Sequence, residues 1–376
     1  MQSMCTILLL FLVRTTAAYL VPSPSGKYNV TLTTGPLIDY ARNDPFAATS
    51  TPRALMLSVF QPTRCASTVP VPYMPNKTAE FQGRFLQQIF NMSIDLTPLF
   101  LEAHLPVCSR YPSGCSSVDD VPILLFSPGY SIPRLYYNVL ASAIASEGFI
   151  VITIDHPGDA DIITYPDGHA VYNNDTVQSL LTMKEHIPIR VTDASFVIDQ
   201  LSNATAIAEL LPHRGPRPFT TNRIAMLGHS LGGVAAVIAA GQDARIRGAI
   251  NWDGTFLESP SKVSQPVLLM SHGMADESWP ATWPLLKGPK LWVDIANTTH
   301  VTFSDVPTLL QAAGQDATEL AGLLGTIEPD EMVRILVTYT TAWMKGAFAG
   351  KEGGPLLEGQ EPCKFPEASV VMKYNI

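Results

Sequence analysis

Short apolar runs recur along the chain, each bounded by Gly, Pro or Asn, and this pattern predicts a series of β-strands. We expect strands at residues 54–60, 122–126, 149–154, 223–227, 248–252, 266–270 and 290–295. Helical patterns lie between most of them, at 135–146, 189–211 and 234–240, and another follows the last strand at 329–344. Because strands rich in Val, Ile and Leu alternate with helices, we predict an α/β fold with a mostly parallel sheet and helices on both faces.

Two stretches interrupt this alternation. Residues 61–120 are rich in proline and contain three cysteines, and residues 158–188 are polar with little periodicity. No linker divides the chain, so we predict a single domain over residues 19–376. We interpret the two stretches as insertions over the active-site end of the sheet, where loops carry substrate contacts.

The first insertion contains an apolar pattern at near-helical spacing, formed by Phe81, Phe85, Ile89 and Phe90. Such a segment either packs on the domain as an ordinary helix or forms an apolar flap that contacts lipid aggregates. We favour the packed helix and keep the flap as the alternative.

The N-terminal segment has features of a secretory signal peptide. An apolar block at residues 6–13 is followed by small residues ending at Ala18, although no Lys or Arg precedes the block. N-x-S/T acceptors occur farther along the chain, at Asn29, Asn76, Asn91, Asn174, Asn203 and Asn297. We therefore predict a signal peptide at residues 1–18 and a secreted glycoprotein.

Cysteine usage agrees with export. After the signal, Cys65, Cys108, Cys115 and Cys363 remain, and an even number in an oxidising compartment predicts two disulfides with three possible pairings. A zinc site is the alternative. Cys108 and Cys115 are too far apart for a C-x2-4-C pair, and no histidine pair accompanies them.

Charge argues against a nucleic-acid partner, and hydropathy argues against a membrane-spanning segment. The net charge is −9 and there is no run of basic residues, which argues against a nucleic-acid partner. Beyond the N-terminal block no apolar stretch is long enough to cross a bilayer, so we predict no transmembrane segment.

The candidate nucleophile is Ser230, in the stretch IAMLGHSLGG at residues 224–233. An apolar strand ends there in the pattern G-x-S-x-G, and a small-residue helix follows. Glycines flank the serine because a sharp strand-to-helix turn strains its backbone and brings neighbouring main chain close. The alternative is a helix-capping serine in a glycine-rich turn, and we favour the nucleophile.

A nucleophilic serine requires a base, and in this architecture the histidine follows the serine in sequence. Only His272 and His300 do so. His300 lies in a loop after the final predicted strand, the usual position of the base, and we predict this role for it. His272 directly follows the strand at 266–270, and we interpret it as a strand-end histidine.

The carboxylate that orients the base has two candidates. Asp253 ends one predicted strand and is followed by a turn glycine, whereas Asp276 lies in the loop after the next strand. Both are chemically adequate, and the residue pattern alone leaves the choice open.

An oxyanion hole needs two backbone N–H groups directed at the reacting carbonyl oxygen. Leu231, the residue after the nucleophile, supplies one. The second donor is expected in the loop FSPGY at residues 126–130, where Gly129 permits close approach and Tyr130 carries the N–H. An ordinary Pro-Gly turn is the alternative. No metal-ligand set or nucleotide fingerprint occurs, so we predict neither a metal nor a cofactor.

These motifs resemble those of the plasma-type platelet-activating factor acetylhydrolase family, within the α/β-hydrolase superfamily. The resemblance rests on LLFSPGY, SEGFIVITIDHPGDA, GHSLGG, INWDG and THVTFSD, and it covers about residues 122–307. It implies an α/β-hydrolase fold. The family serine, in G-H-S-x-G-G, matches Ser230, and the family histidine, in H-x-x-F-[ST/A]-D, matches His300 together with Phe303 and Asp305.

The resemblance also bears on the acid and the oxyanion hole. The family acid is the aspartate at the end of the next strand, which matches Asp253 and favours it over Asp276. The family oxyanion donor maps onto Tyr130, beside Leu231. The chain departs from the family at Pro128, where the family often has histidine.

The residues by themselves indicate an acyl-ester hydrolase. The resemblance implies more, namely calcium-independent hydrolysis of short or oxidised sn-2 acyl chains from phospholipids. Two alternatives remain: a lipase or polyester hydrolase of the same fold, for which Asp276 would be the natural acid, and a catalytically silent hydrolase-like binding protein.

Overall fold

The structure, a computed structural model, describes residues 18–89, 95–109, 120–173, 180–273 and 276–376. The predicted signal peptide lies outside this part of the chain, apart from Ala18. The strands are β1 (Tyr19–Leu20), β2 (Asn29–Asn43), β3 (Pro52–Thr63), β4 (Thr68–Pro72), β5 (Ala103–Cys108), β6 (Ile123–Ser127), β7 (Ile150–Asp155), β8 (Ile162–Thr164), β9 (Ala170–Tyr172), β10 (Ile224–His229), β11 (Ile246–Trp252), β12 (Val267–Ser271), β13 (Lys290–Ile295) and β14 (Ala368–Tyr374).

The α-helices are α1 (Asn76–Ile89), α2 (Thr97–Leu101), α3 (Asn138–Ser146), α4 (Leu180–Leu201), α5 (Ala204–Leu210), α6 (Leu231–Gln242), α7 (Ser278–Thr282), α8 (Val306–Ala312), α9 (Ala321–Leu324) and α10 (Pro329–Ala349). Short 3-10 helices occur at Arg134–Tyr137, Trp283–Leu285, His300–Phe303 and Thr318–Leu320. None of the helices in the described ranges is long and apolar enough to cross a membrane.

A nine-stranded sheet in the order β14-β13-β12-β11-β10-β6-β7-β3-β2 forms the centre of the fold. The six strands from β13 to β7 pair in parallel, and antiparallel strands complete both edges. The parallel strands therefore end at one common edge, where loops from several strands meet.

Both faces of the sheet are buried. Successive strand side chains point to opposite faces, so that in β6 Phe126 packs in one apolar core and Leu125 in the other. Helices α3 and α10 contribute to the first core, and α4 and α6 to the second. This arrangement explains why the central strands are apolar throughout rather than alternating.

All seven predicted strands are present, as β3, β6, β7 and β10 to β13. The edge strands β2 and β14 were not predicted. Strand β2 contains Gly35 and Pro36, which are typical of a turn, but an edge strand tolerates proline because one side of it has no hydrogen-bonded neighbour.

The helix predicted at 189–211 is two helices. Helix α4 begins earlier, at Leu180, and continues through Pro188, the predicted end of the preceding insertion. The chain then starts again at α5, where the Asn203 side chain accepts hydrogen bonds from the amides of Thr205 and Ala206. A local cap therefore separates two helices that have similar apolar patterns.

The predicted insertions contain secondary structure of their own. In the first insertion, strands β4 and β5 form a three-stranded sheet together with β1. The same insertion contains helices α1 and α2. The second contains the β8–β9 hairpin and the beginning of α4.

One disulfide joins Cys65 to Cys108 and closes a loop of 43 residues. Cys363 is a free, exposed cysteine, so the prediction that it forms a disulfide is wrong. It lies in the C-terminal segment between α10 and β14, on the surface of the protein. Cys115 lies outside the described residues.

Replacing Cys65 and Cys108 together by serine is expected to lower the free energy of unfolding by about 2–4 kcal/mol, because the unfolded chain regains the freedom of a long loop. Urea unfolding of the double variant measures this, with Cys363→Ser as the control for loss of a thiol. Equal unfolding midpoints for the double variant and the control would contradict the expectation.

Candidate active site

The carboxyl edge of the parallel sheet brings together the residues predicted from sequence. Ser230 follows β10, Asp253 follows β11, and His300 begins a 3-10 helix beyond β13. The loop that starts at Pro128 follows β6, which is paired with β10. Residues far apart in sequence therefore lie in one cleft because their strands are parallel neighbours.

Ser230 occupies the sharp turn between β10 and α6. Its backbone has φ 56° and ψ −126°, a conformation that residues with a side chain rarely adopt. A Cβ atom on Gly232 would lie 1.9 Å from the carbonyl oxygen of Ser127, so glycine is required there. The turn is thus packed directly against the loop after β6, and this packing can maintain the strained backbone at Ser230.

His300 is paired with Asp253. Its Nδ1 lies 2.5 Å from Asp253 Oδ2, and the aspartate is buried while the histidine is exposed to the cleft. Burial by itself would raise the pKa of Asp253, but hydrogen bonds with His272 and His300 lower it below its ordinary value. Asp253 is therefore ionised at neutral pH.

Asp276, the other candidate acid, lies in the same cleft but has a different partner. Its Oδ1 accepts a hydrogen bond from the amide of Ser278 at 2.8 Å, at the start of α7. The geometry thus joins His300 to Asp253 and gives Asp276 a helix-terminal contact.

His272 makes a contact that the sequence analysis missed. Its Nδ1 lies 2.7 Å from both carboxylate oxygens of Asp253, and its amide donates to Oδ1 at 3.2 Å. The hydrogen bond to Asp253 raises the pKa of His272 above its ordinary value. The available signal was positional, since Asp253 and His272 follow β11 and β12, which are adjacent parallel strands.

The loop after β6 faces Ser230. Gly129 and Tyr130 line a cavity together with Ser230 and His300, while Leu231 and Ser230 line the cavity beside it. The Gly129 amide donates to Tyr137 Oη at 3.1 Å. Tyr130 and Leu231, the two predicted oxyanion donors, therefore each line a cavity that Ser230 also lines.

The residues that match the family pattern after His300 anchor the base loop. Phe303 is buried, and Asp305 accepts hydrogen bonds from the amides of Val139 and Leu140 and from Tyr73 Oη. A carboxylate at the first turn of α3 is favoured by the helix dipole. Burial nevertheless raises the pKa of Asp305 to about 7.

Two cavities meet at Ser230 and His300. One, of about 360 Å³, has mainly apolar walls that include Phe85, Leu86, Leu310, Leu323 and Leu324. The other, of about 510 Å³, is more polar and is bordered by His272, Asp276, Glu277, Trp279 and Trp292. A larger cavity, of about 750 Å³, lies beside the β2–β3 turn and the β8–β9 hairpin and contains none of the predicted site residues.

One group of side chains has the geometry to hold a metal ion. The ligand atoms of His229, Asp253 and His300 lie within 4.8 Å of one another. Asp253 is already engaged with His300 and His272, and His229 Nδ1 lies 2.8 Å from Tyr137 Oη. The predicted absence of a metal stays a prediction.

Comparison with known proteins decides the family. The sequence model described as platelet-activating factor acetylhydrolase, isoform II, matches residues 16–200. A protein of Arthroderma benhamiae named "Probable 1-alkyl-2-acetylglycerophosphocholine esterase" is 30% identical over 382 residues, which cover 93% of each chain. The chain belongs to the platelet-activating factor acetylhydrolase family.

More distant relatives agree with this assignment. The platelet-activating factor acetylhydrolase of Bos taurus is 24% identical over 289 residues, covering 67% of this chain and 60% of the relative. A solved ferulic acid esterase from Streptomyces cinnamoneus superimposes with a TM-score of 0.78 and 26% identity, and covers 95% of this chain. The predicted α/β-hydrolase fold is confirmed, and this acetylhydrolase-family member is a carboxylic ester hydrolase. The alternative of a catalytically silent binding protein is not supported.

Replacing Asp253 by Asn is expected to lower kcat by roughly 10⁴-fold, because His300 would lose the carboxylate that fixes its tautomer. Asp276→Asn is the matched control and should leave kcat close to the wild-type value. Steady-state kinetics on p-nitrophenyl acetate measure both, and a large loss at Asp276 with a small one at Asp253 would reverse the assignment of the acid.

The stability contributed by His272 is expected to depend on pH. Because its pKa is raised above 6.5 in the folded protein, the contribution is fully present below pH 6.5 and is lost as the pH rises through the raised pKa. The Tm difference between wild type and His272→Gln should therefore shrink above pH 6.5. Thermal melts from pH 5 to 8.5 measure it.

The control is the same comparison in an Asp253→Asn background, where the pH dependence of the Tm difference should disappear. A difference that is constant over the whole pH range, or that survives without Asp253, would contradict the coupling between the two residues.

Proposed function

We propose that this protein is a secreted serine esterase that hydrolyses short or oxidised sn-2 acyl esters of phospholipids without calcium. The observation that carries the proposal is the pairing of His300 with Asp253 beside Ser230, at a point where an apolar and a polar cavity meet. The printed name of the Arthroderma benhamiae relative, which specifies a glycerophosphocholine esterase, supports the substrate class.

In the proposed reaction Ser230 attacks the ester carbonyl, and His300 accepts the serine proton and then transfers it to the leaving alcohol. Asp253 occupies Nδ1 of His300, so Nε2 is the atom left to exchange the proton. The N–H groups of Tyr130 and Leu231 stabilise the oxyanion. Water then repeats the sequence on the acyl-enzyme, and His300 returns the proton to Ser230.

The two cavities fit the two parts of such a substrate. The apolar cavity of about 360 Å³ suits a short or truncated acyl chain, because its walls offer no polar partner along most of their length. The second cavity, which is the more polar of the two and is bordered by His272 and Glu277, suits the polar leaving group.

Partly buried aromatic side chains on helix α1 favour the alternative of an apolar flap that contacts lipid aggregates. Its Phe85 and Leu86 border the apolar cavity, and Phe81 stacks on Phe85 at a centroid distance of 5.8 Å, with all three side chains only partly buried. Ile89 and Phe90 of the predicted pattern have side chains outside the described residues. We propose that this helix lies at the lipid surface and guides the acyl chain to Ser230.

A second candidate function is a lipase-like or cutinase-like carboxylesterase acting on triacylglycerols or polyesters. The observation that favours it is the similarity to a ferulic acid esterase, an enzyme whose printed name indicates a substrate other than a phospholipid.

The test is turnover in the presence of EDTA of three substrates: a phosphatidylcholine with an sn-2 acetyl group, its long-chain counterpart and a triacylglycerol. We expect wild type to prefer the acetyl substrate, because a long chain exceeds the apolar cavity, and Ser230→Ala to be inactive on all three. Preference for triacylglycerol would favour the second candidate, and a requirement for added calcium would contradict the calcium-independent mechanism.

A further inference from the structure

Arg190 of α4 contacts the last residue of β6 and the first two residues of the loop that follows. Its guanidinium donates hydrogen bonds to the carbonyl oxygen of Pro128, to that of Gly129 at 3.1 Å, and to Ser127 Oγ at 3.1 Å. The Arg190 side chain is only 1% exposed, so water does not compete for these bonds. A single buried cation thus holds the loop that carries Tyr130.

Peptide geometry links these contacts to the direction of the amides. A trans peptide is planar, and its C=O and N–H point in opposite directions. The Pro128 carbonyl accepts from Arg190, and the Gly129 N–H of the same peptide accordingly donates on the opposite side, to Tyr137 Oη. In the peptide between Pro128 and Gly129, the hydrogen bond from Arg190 to the carbonyl on one side thus directs the N–H to the opposite side.

The next peptide contains the predicted oxyanion donor. It joins the Gly129 carbonyl, which accepts from Arg190, to the Tyr130 N–H, which must therefore point away from Arg190. The cavity at Ser230 is lined by Gly129 and Tyr130 but not by Arg190, so the arginine lies behind the loop.

A buried acid neutralises and fixes the guanidinium. Asp159 accepts two hydrogen bonds from Arg190, at 2.7 Å and 2.6 Å, and also one from the amide of Ser131, the next residue of the loop. Burial would raise the pKa of Asp159, but the charge of Arg190 outweighs it and the pKa is lowered. The bidentate pair leaves Arg190 no freedom to turn away from the loop.

A second chain of buried groups holds the start of the loop. Ser127 Oγ lies 3.0 Å from His156 Nε2, and His156 Nδ1 lies 2.8 Å from Asp193 Oδ2, which is in turn paired with Arg53. The order of groups is that of a Ser-His-Asp triad. Ser127 is fully buried, however, and its hydroxyl also accepts from Arg190, so its role is structural.

We propose that Arg190 is the positioning residue of the oxyanion hole: it holds the Gly129 carbonyl so that the Tyr130 N–H faces the reacting oxygen before substrate binds. This inference rests on the proposed function, because it takes Ser230 as the nucleophile and Tyr130 as a donor. Preorganisation of this kind stabilises the transition state without a reorganisation cost during the reaction.

The test compares Arg190→Gln and Arg190→Lys with wild type on p-nitrophenyl acetate, which does not depend on phospholipid recognition. Arg190→Gln is expected to lower kcat roughly 10²–10³-fold, as the loss of one oxyanion donor does, with little change in KM. Lysine keeps the charge but cannot hold two carbonyls in a fork, so Arg190→Lys should recover only part of the loss. The pH midpoint of kcat should not move, since His300 and Asp253 are untouched.

The readout that separates positioning from general stability is the inhibition constant of a trifluoromethyl ketone, whose adduct with Ser230 carries an oxyanion. Its affinity should weaken by the same factor as kcat. Arg134→Lys is the matched control, because Arg134 is an equally buried arginine, paired with Asp155, that makes no hydrogen bond to residues 127–130. This control should keep its inhibitor affinity even if its Tm falls.

An unchanged inhibitor affinity in the Arg190 variants, or an equal loss in Arg134→Lys, would overturn the inference. If Arg190→Gln does not fold, Asp159→Asn provides the same comparison, since it loosens the guanidinium and should weaken kcat and inhibitor affinity in parallel. A Ser230→Ala protein that remains active would overturn the proposed function itself, whereas failure of the Arg190 variants alone would leave that function standing.

Discussion

Hydrogen bonds from two histidines to one buried carboxylate connect the ends of three neighbouring parallel strands. Strand β11 carries Asp253, β12 carries His272, and the segment after β13 carries His300. A buried carboxylate is costly unless it is paired, so its charge depends on both histidines being in place. The pairing of the strands therefore also sets the electrostatics of the site, because it places both histidines next to the Asp253 carboxylate.

Close packing of main chain imposes the second constraint. A Cβ on Gly232 would meet the carbonyl of Ser127, and a Cβ on Gly254 would lie 2.1 Å from the carbonyl of Ser230. The turn at Ser230 is thus enclosed by Ser127, at the end of β6, on one side and by the turn after Asp253 on the other. Both Ser230 and Asp253 have positive φ, a backbone conformation that costs free energy in residues with a side chain. The close packing on both sides can hold them in this conformation.

A buried ionisable side chain ties each of two loops at the cleft to a distant part of the chain. Asp305 ties the loop of His300 to the first turn of α3, and Arg190 ties the loop of Tyr130 to α4. These groups lie in a low-dielectric interior where satisfied hydrogen bonds are strong and lost ones are costly. These hydrogen bonds hold the loops of His300 and Tyr130 in one conformation around Ser230.

Much of the fold was readable from the sequence, because apolar runs and turn residues report on local conformation. The seven central strands follow from that pattern, whereas β2 and β14 did not, since an edge strand lacks the two-sided burial that makes a strand recognisable. Helix α4 was predicted to begin at residue 189 and not at Leu180, because Pro188 is typical of a helix boundary. Packing in the second apolar core nevertheless stabilises a helix that continues through this proline.

The pattern G-x-S-x-G was enough to propose Ser230 as the nucleophile, because the steric demand on the flanking glycines arises within that turn. Chain order narrowed the candidate bases to His272 and His300, and the position after the last predicted strand favoured His300. Three features became visible only once the chain was folded: His300 pairs with Asp253, His272 shares that aspartate, and Arg190 lies behind Tyr130. The physical reason is that these are contacts through space between segments 19 to 61 residues apart, set by strand order and helix packing. No local pattern of hydrophobic and polar residues encodes such distances.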